Sequence, residues 1–343
     1  MNIEKQLSVW IEFGKCFETE CPSFLQENIK KACESNGWFT PESIRNAIAG
    51  NVKNLTCEKL ETWLSGYKDK LNSSRESKNI GVVMAGNIPL VGFHDFMCVL
   101  IAGHSIQVKL SHDDRYLLPA LAKLLCGIEP GFAEKIQFTT ERISHFDAVI
   151  ATGSNNTSRY FEYYFGKYPH LIRKNRNSIA VLTGDESDEE LAALADDIFM
   201  YFGLGCRSIS KIFIPKGYDF SALQKAFAKY LHFIEHSKYG MNYSYYKAIY
   251  TMNPLQWNDL GNILLVEGSE LSAPPAVLNY SFYTDIQEVA AYIDFMSNQL
   301  QCIVCSEKNR GGLRGTIPLG TAQTPNLNDY ADNVDTLEFL LNL

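Results

Sequence analysis

The sequence predicts an α/β fold, parallel sheets covered by helices, behind a helical N-terminal region. Two observations carry that expectation. From residue 80 onward, short apolar runs that read as buried strands alternate with stretches of helical periodicity. Before that point only the helical period is present: Leu7, Trp10, Ile11 and Phe13 share one face, as do Ile44, Ala47 and Ile48. At 343 residues, 46% hydrophobic and 20% charged, the chain is long enough for two such domains around large cores.

Taken in order, residues 1–75 read as helices, with Pro41 and Glu42 where a first helical turn favours them. Asn72–Lys78 is a polar loop. Ile80–Ala85 is the first buried strand, and Gly86-Asn87-Ile88-Pro89 is the turn that ends it. A helix over about Gly92–Ala102 leads to the strand Ser105–Leu110, and the helix Tyr116–Cys126 follows. Asp147–Ala151 is a third strand, ending at Thr152-Gly153-Ser154 before a helix that starts near Asn155. Ser178–Leu182 opens the second series. It continues with an acidic loop at Asp185–Asp188, a helix at Glu189–Phe202, a strand at Ser210–Ile214 stopped by Pro215, and a helix at Tyr218–Phe233. The tyrosine-rich stretch Tyr239–Tyr250 is an aromatic stripe, core or the lining of an acyl pocket. Strands at Asn262–Glu267, Val277–Phe282 and Gln301–Ser306, with a helix at Gln287–Met296, complete the series. The tail from Gly311 carries a closing helix at Thr336–Leu341.

Charge and cysteine usage narrow the function classes. A net charge of −8 without a basic block argues against a nucleic-acid groove. No apolar run approaches a membrane span, and the N-terminus has no signal-peptide core, so the expected location is the cytoplasm. Nine scattered cysteines fit a reducing compartment. Cys302 and Cys305 form a CxxC inside a strand-like run with no second pair beside it. That reads as core and not as a zinc site, and no metal is expected.

The stretch that carries chemistry is Tyr201–Pro215. It reads as a helix end, a glycine-bracketed turn, one cysteine and a strand. Gly203 and Gly205 permit unusual dihedrals beside Cys206. Arg207 and nearby peptide N–H groups favour a thiolate there. A thiol on such a junction suits nucleophilic acyl chemistry, and a small core residue is the plain alternative. In a parallel sheet, ligands bind at the carboxyl ends of the strands. Those ends here carry Asn87, Lys109 and Gly153-Ser154, suited to a nucleotide or a polarised carbonyl, although no GxGxxG is present.

In their order these pieces resemble the aldehyde dehydrogenase superfamily, and within it the acyl-CoA reductase (LuxC-like) branch. Ala85–Pro89 is similar to the family's strand-end motif, and Ala102–Ser111 to its glycine-asparagine, valine and lysine-proline-serine segment. Thr152-Gly153-Ser154 matches its helix start, and Gly203–Arg207 stands where its catalytic cysteine lies. The tail from Pro325 to Leu340 also looks like the reductase branch. The resemblance covers about residues 78–343. It implies an aldehyde-dehydrogenase-like α/β fold of two doubly wound domains. They would be a helical region at 1–77, a cofactor domain at 78–175, a catalytic domain at 176–315, and a tail at 316–343 that returns to the cofactor domain or serves an oligomer interface. It further implies that Cys206 attacks a thioester, that Asn87 with the Cys206 N–H forms the oxyanion hole, and that Lys109 and Ser111 hold the adenosine ribose side of the cofactor. Gly153 and Ser154 would present a helix N-terminus to its pyrophosphate. NADPH is the expected cofactor, with NADH the alternative, a fatty acyl-CoA the substrate and a homo-oligomer the assembly, its arm placed after Gly311.

Two departures from the family pattern stand out. Where hydrolytic relatives carry glutamate-leucine-glycine-glycine, this chain has Leu171–Asn177, so the base that activates water on an acyl-enzyme is missing, which favours reduction over hydrolysis. The glycine-asparagine pair is Gly103-His104, and leucine follows Lys109 in place of proline. Two rivals remain: a Cys206-dependent acyltransferase or thioesterase without redox chemistry, and a non-catalytic nucleotide-binding partner of an acyl-activating enzyme.

Overall fold

The computed structural model describes residues 3–18 and 22–343, with the backbone alone at positions 155 and 309–311. Cys21 lies outside the described residues. The chain divides into two compact units, Met1–Asn175 with Pro325–Leu343, and Arg176–Thr324.

The first unit begins with helices α1 (Ile3–Lys15), α2 (Ser23–Ser35), α3 (Pro41–Val52), α4 (Cys57–Leu64) and α5 (Lys68–Asn72). Thr40 caps α3 in a reciprocal box with Ser43, and Pro41 occupies the first turn, where its missing N–H costs nothing. Strands β1 (Asn79–Val83), β2 (Ser105–Lys109), β3 (Ile136–Thr139), β4 (Ala148–Thr152) and β5 (His170–Arg173) follow. They alternate with α6 (Phe93–Ile101), α7 (Leu117–Ile128) and α8 (Asn155–Phe165). The sheet order is β3-β2-β1-β4-β5, parallel throughout. The chain reverses its direction across the sheet between β1 and β4, so the loops after those strands flank the switch point.

The N-terminal helices have no separate core. Trp10 and Phe13 pack edge-on and stacked against Phe93 of α6, within one apolar cluster that also takes in Ile80 of β1 and Val108 of β2. Each such side chain contributes about 1.5–3 kcal/mol by leaving water. The tail joins the same cluster: helix α13 (Thr336–Leu341) buries Leu337 and Leu340 there, and Tyr330 accepts the indole N–H of Trp63 at 2.8 Å. Of the tail expected at 316–343 to return to the cofactor domain or serve an oligomer interface, residues 325–343 belong to this unit and 316–324 to the second.

The second unit holds β6 (Asn177–Val181), α9 (Asp188–Phe199), β7 (Ile209–Pro215), α10 (Ser221–Phe227), α11 (Ser237–Met252), β8 (Trp257–Asp259), β9 (Leu264–Glu267), β10 (Val277–Tyr283), α12 (Ile286–Met296), β11 (Leu300–Cys305) and β12 (Thr316–Pro318). The order is β12-β11-β6-β7-β10-β9-β8, parallel except for the β8–β9 pair. Val289 and Ile293 of α12 cover Ile179 and Phe213 on one face. Ser187 caps α9 in a box with Glu190. On β7 the polar member of the expected strand, Lys211, is buried. Its ammonium donates to Ser281 Oγ at 2.8 Å and to the Gly268 carbonyl at 2.5 Å, and burial pushes its pKa down to about 8.

Two expected helices end differently. The helix drawn to Phe202 stops at Phe199, because Tyr201, Phe202 and Gly203 all take positive φ. The helix drawn over Tyr218–Phe233 is α10 followed by a 3-10 segment from Ala228 to Glu235.

Candidate active site

Cys206 sits in a turn built under strain. Tyr201 and Phe202 adopt φ of 57° and 58°, and Gly203 follows at 76°. For the two aromatic residues the left-handed conformation costs on the order of 1–2 kcal/mol each. Burial of Phe202 among Phe233, His236 and Tyr239 offsets it, with ring centroids 4.6, 4.3 and 5.9 Å away. The turn then closes on itself: Ser208 N–H donates to the Gly205 carbonyl at 3.0 Å, and Gly205 N–H donates to Ser208 Oγ at 3.2 Å. Cys206 is exposed at its apex. From below, Ser178 Oγ donates to the Cys206 carbonyl at 2.9 Å and accepts from Cys302 N–H at 3.2 Å.

Every other described thiol is either buried or has its pKa raised. Cys302 and Cys305 are buried in β11, as the core reading of the CxxC requires, and burial pushes the Cys302 thiol up to about 11. Cys57 is the other exposed thiol among the described residues. It donates to the Glu61 carboxylate at 3.2 Å, which raises its pKa and disfavours its thiolate. Among the described residues no group of three or more His, Cys, Asp or Glu side chains could hold a metal, and no helix is long and apolar enough to cross a membrane.

The remaining sequence candidates gather at the carboxyl edge of the first unit's sheet. Lys109 ends β2 beside Val83 of β1, and Asn87 stands exposed four residues beyond Val83. The Lys109 ammonium donates to the Thr140 carbonyl at 3.4 Å. Ser111 lies against Gly86 so closely that a Cβ on that glycine would meet Ser111 Oγ at 2.6 Å. Across the switch point, Ser154 caps α8 by accepting from Thr157 N–H at 3.2 Å. A Cβ at Gly153 would meet the Phe161 ring at 2.9 Å and Thr157 at 3.1 Å, so a side chain there would have to displace them.

Sequence reasoning missed what holds these loops. Asp114 is buried and accepts from Leu90 N–H at 2.7 Å, steadying a φ of 58° just after the Asn87 turn. Burial pushes its carboxyl up to about 6. Asn36 donates to the Gly86 and Asp113 carbonyls, each at 3.4 Å, joining the N-terminal helices to the same loop. The two departures have structural explanations as well. Arg173, inside Leu171–Asn177, makes a buried two-point pair with Asp95 at 2.7 and 2.8 Å and donates to Thr336 Oγ1 at 2.7 Å. His104, in place of the family asparagine, accepts from Lys78 N–H at 3.2 Å and bonds the Leu340 carbonyl through Nε2 at 2.9 Å, which ties β2 to α13. Burial lowers its pKa and keeps the ring neutral.

The tyrosine stripe is divided between packing and solvent. Tyr239 is buried and donates to the Asn262 carbonyl at 2.9 Å, and Tyr243 donates to Asp259 at 2.6 Å. Met241 and Tyr245 face an open hollow of about 810 Å³.

Comparison with known proteins agrees with this arrangement. The acyl-CoA reductase (LuxC) family profile matches residues 24–236. PutA from Anabaena variabilis superposes over 99% of this chain and 86% of its own, with a TM-score of 0.67 at 13% identity. Aldehyde dehydrogenase 21 from Physcomitrella patens, solved with succinate, covers 100% of this chain and 84% of its own, TM-score 0.65, 12% identity. The glyceraldehyde-3-phosphate dehydrogenase GapN from Methanocaldococcus jannaschii, complexed with NADP, covers 89% and 76%, TM-score 0.62, 13% identity. No curated protein matches the chain by sequence. The fold is that of the aldehyde dehydrogenases, and the chain belongs to the acyl-CoA reductase (LuxC) family.

Proposed function

As a member of that family, the chain is, we propose, a reduced-nicotinamide-dependent acyl-CoA reductase in which Cys206 carries the acyl group. The observation that supports this most directly is an exposed cysteine on a strained, glycine-bracketed turn in a chain of this family. The Cys206 thiolate attacks the thioester carbonyl, a new C–S bond forms, and CoA leaves as its thiolate, taking up a proton. The Asn87 amide is the proposed donor to the developing oxyanion, together with the Cys206 N–H. Bound reduced nicotinamide supplies a hydride to the acyl carbon. The bond to Cys206 then breaks, releasing aldehyde and regenerating the thiolate.

The residues present fit a nucleotide cofactor. Gly153 packs closely against Phe161 and Thr157, Ser154 caps α8 beside it, and Lys109 offers an ammonium two strands away in the same sheet. Lys109 and Ser111 are the proposed holders of the adenosine ribose side, and Gly153 and Ser154 of the pyrophosphate. NADPH is the proposed preference and a fatty acyl-CoA the proposed substrate. The segment where hydrolytic relatives carry their glutamate is here a strand pinned by Arg173 to Asp95, with no carboxylate between Leu171 and Asn177. A Cys206 acyl thioester is therefore left to hydride and not to activated water.

The test is oxidation of NADPH and of NADH with acyl-CoAs from acetyl to palmitoyl, for wild type and Cys206→Ala. Acyl-dependent oxidation that falls by ~10³-fold or more in Cys206→Ala is the expected result. Release of free CoA without oxidation of either nucleotide would move the reading to a thioesterase or acyltransferase.

A further inference from the structure

Beneath the Cys206 turn runs a chain of buried polar contacts that the chemistry above does not use. Asp197 of α9 is wholly buried, and its two carboxylate oxygens accept from Gly320 N–H at 2.6 Å and Ala322 N–H at 2.9 Å. Residues 320–322 are thereby strapped to the helix that leads into the turn. Gly320 takes φ of 84°, and a Cβ there would meet the Ala193 Cβ at 2.6 Å, so the strap lies directly on α9. The strap delivers Gln323, whose amide donates to the Asp197 carbonyl at 3.1 Å and to Ser208 Oγ at 3.2 Å. Ser208 is the residue that closes the turn around Cys206 through its two contacts with Gly205.

We infer that Gln323, held by the Asp197-bound strap, is a positioning residue for Cys206, fixing the Ser208 hydroxyl so that the Gly205–Ser208 turn presents the thiol in one orientation. Gln323 touches no reacting atom; it acts through Ser208. With the amide in place, the Ser208 hydroxyl accepts from Gln323 and from Gly205 N–H at once, and the turn cannot rotate without breaking both bonds. The strain stored at Tyr201 and Phe202 makes this necessary, because a turn that begins in a disfavoured conformation relaxes if its far side is released. The catalytic consequence rests on the reading of Cys206 as the nucleophile. The geometric consequence does not.

The test uses Gln323→Met in the full chain, which keeps the length of the side chain, removes both N–H donors and adds no acceptor for the Ser208 hydroxyl. Three quantities are measured: the rate of iodoacetamide alkylation mapped to the Cys206 peptide, steady-state kcat and KM for the acyl-CoA and nucleotide pair found above, and the thermal midpoint. The expected result is alkylation slowed roughly tenfold and kcat lowered to a similar degree, with KM values within about twofold and the thermal midpoint little changed. Ser208→Ala, a smaller change, is read beside it, and the double variant is expected to lose no more than either single one, because both cut the same contact. Unchanged alkylation in both single variants would overturn the inference, as would losses that simply add in the double variant. Should Gln323→Met fail to fold, Ser208→Ala alone decides by the same alkylation rate. Alkylation needs no turnover, so its outcome is separate from that of the reductase reading. That reading fails if wild type shows no acyl-dependent oxidation or if Cys206→Ala retains it.

Discussion

The two units bury carboxylates next to their candidate loops and neutralise them by different means. In the first unit Asp95 faces the Arg173 guanidinium, and Asp114 accepts from Leu90 N–H at 2.7 Å, with the Leu117 N–H also acting on its carboxyl. In the second, Asp197 meets, among the described residues, no side-chain cation at hydrogen-bond distance but the backbone N–H groups of Gly320 and Ala322. A guanidinium partner fixes a strand to a helix and leaves both elements otherwise free to be substituted. Backbone partners fix a loop whatever its side chains are, which suits a segment that supports a catalytic turn. The comparison teaches that Asp95 is held by side-chain pairing, whereas Asp197 serves to shape the chain itself.

The largest expected effect breaks the side-chain pair. Arg173→Met leaves Asp95 charged, buried and short of its two strongest donors, and about 3–5 kcal/mol of stability should be lost. Urea unfolding checks this, and a loss under about 1 kcal/mol would show that Asp95 is hydrated or protonated once released. Next comes Asp197→Ala, which orphans two N–H groups of the strap at about 1–3 kcal/mol each. It should also slow Cys206 alkylation, whereas Arg173→Met should leave alkylation of the folded protein alone. Asp114→Ala removes the acceptor of Leu90 N–H, its one close backbone contact, and should cost less than Asp197→Ala. Equal losses for the two would sink the idea that the number of backbone partners sets the cost.

How much of this was legible in the sequence depends on what each part needed from its neighbours. The central strands were visible because burial on both faces writes an apolar run: Ile80–Val83, Ile106–Val108, Ala148–Ala151 and Ile179–Val181. The four strands that were missed, β3, β5, β8 and β12, are the edges of the two sheets. An edge strand has one ladder and partial burial, so His170–Arg173 or Trp257–Asp259 carries no such run. The helix into Cys206 was drawn three residues too long because propensity does not register a tertiary override. Tyr201 and Phe202 would extend a helix by themselves, and only the packing of Phe202 on Phe233 and His236 turns them left-handed. Chemistry-bearing residues stood out where glycine framed them, as at Cys206 and Gly153-Ser154. Their supports did not, because Asp114, Asp197, Ser178 and Gln323 act through groups far away in sequence, and no local pattern marks that partnership.

The smallest expected effect also discriminates most finely between the two loop-holding carboxylates. Burial outweighs the N–H donors at both, so Asp197 is pushed up to about 7 and Asp114 to about 6, against an ordinary value of 3.8. A carboxyl whose folded pKa is raised binds its proton more tightly in the fold than in the unfolded chain. Its contribution to stability is therefore complete below the unfolded value and is lost as pH rises through the folded one. Between pH 6 and 7 Asp197 should cost the fold about 1 kcal/mol, and Asp114, already half ionised at pH 6, about a third of that. His104, whose pKa burial lowers, changes stability in the opposite direction, but it is the same in every variant and cancels in the difference. Thermal midpoints at pH 6 and pH 7 for wild type, Asp197→Asn and Asp114→Asn provide the measurement. Wild type should lose stability over that interval relative to both variants, and more relative to Asp197→Asn. A larger flattening from Asp114→Asn would mean that Asp114, and not the strapped carboxylate, is the more deeply desolvated of the two.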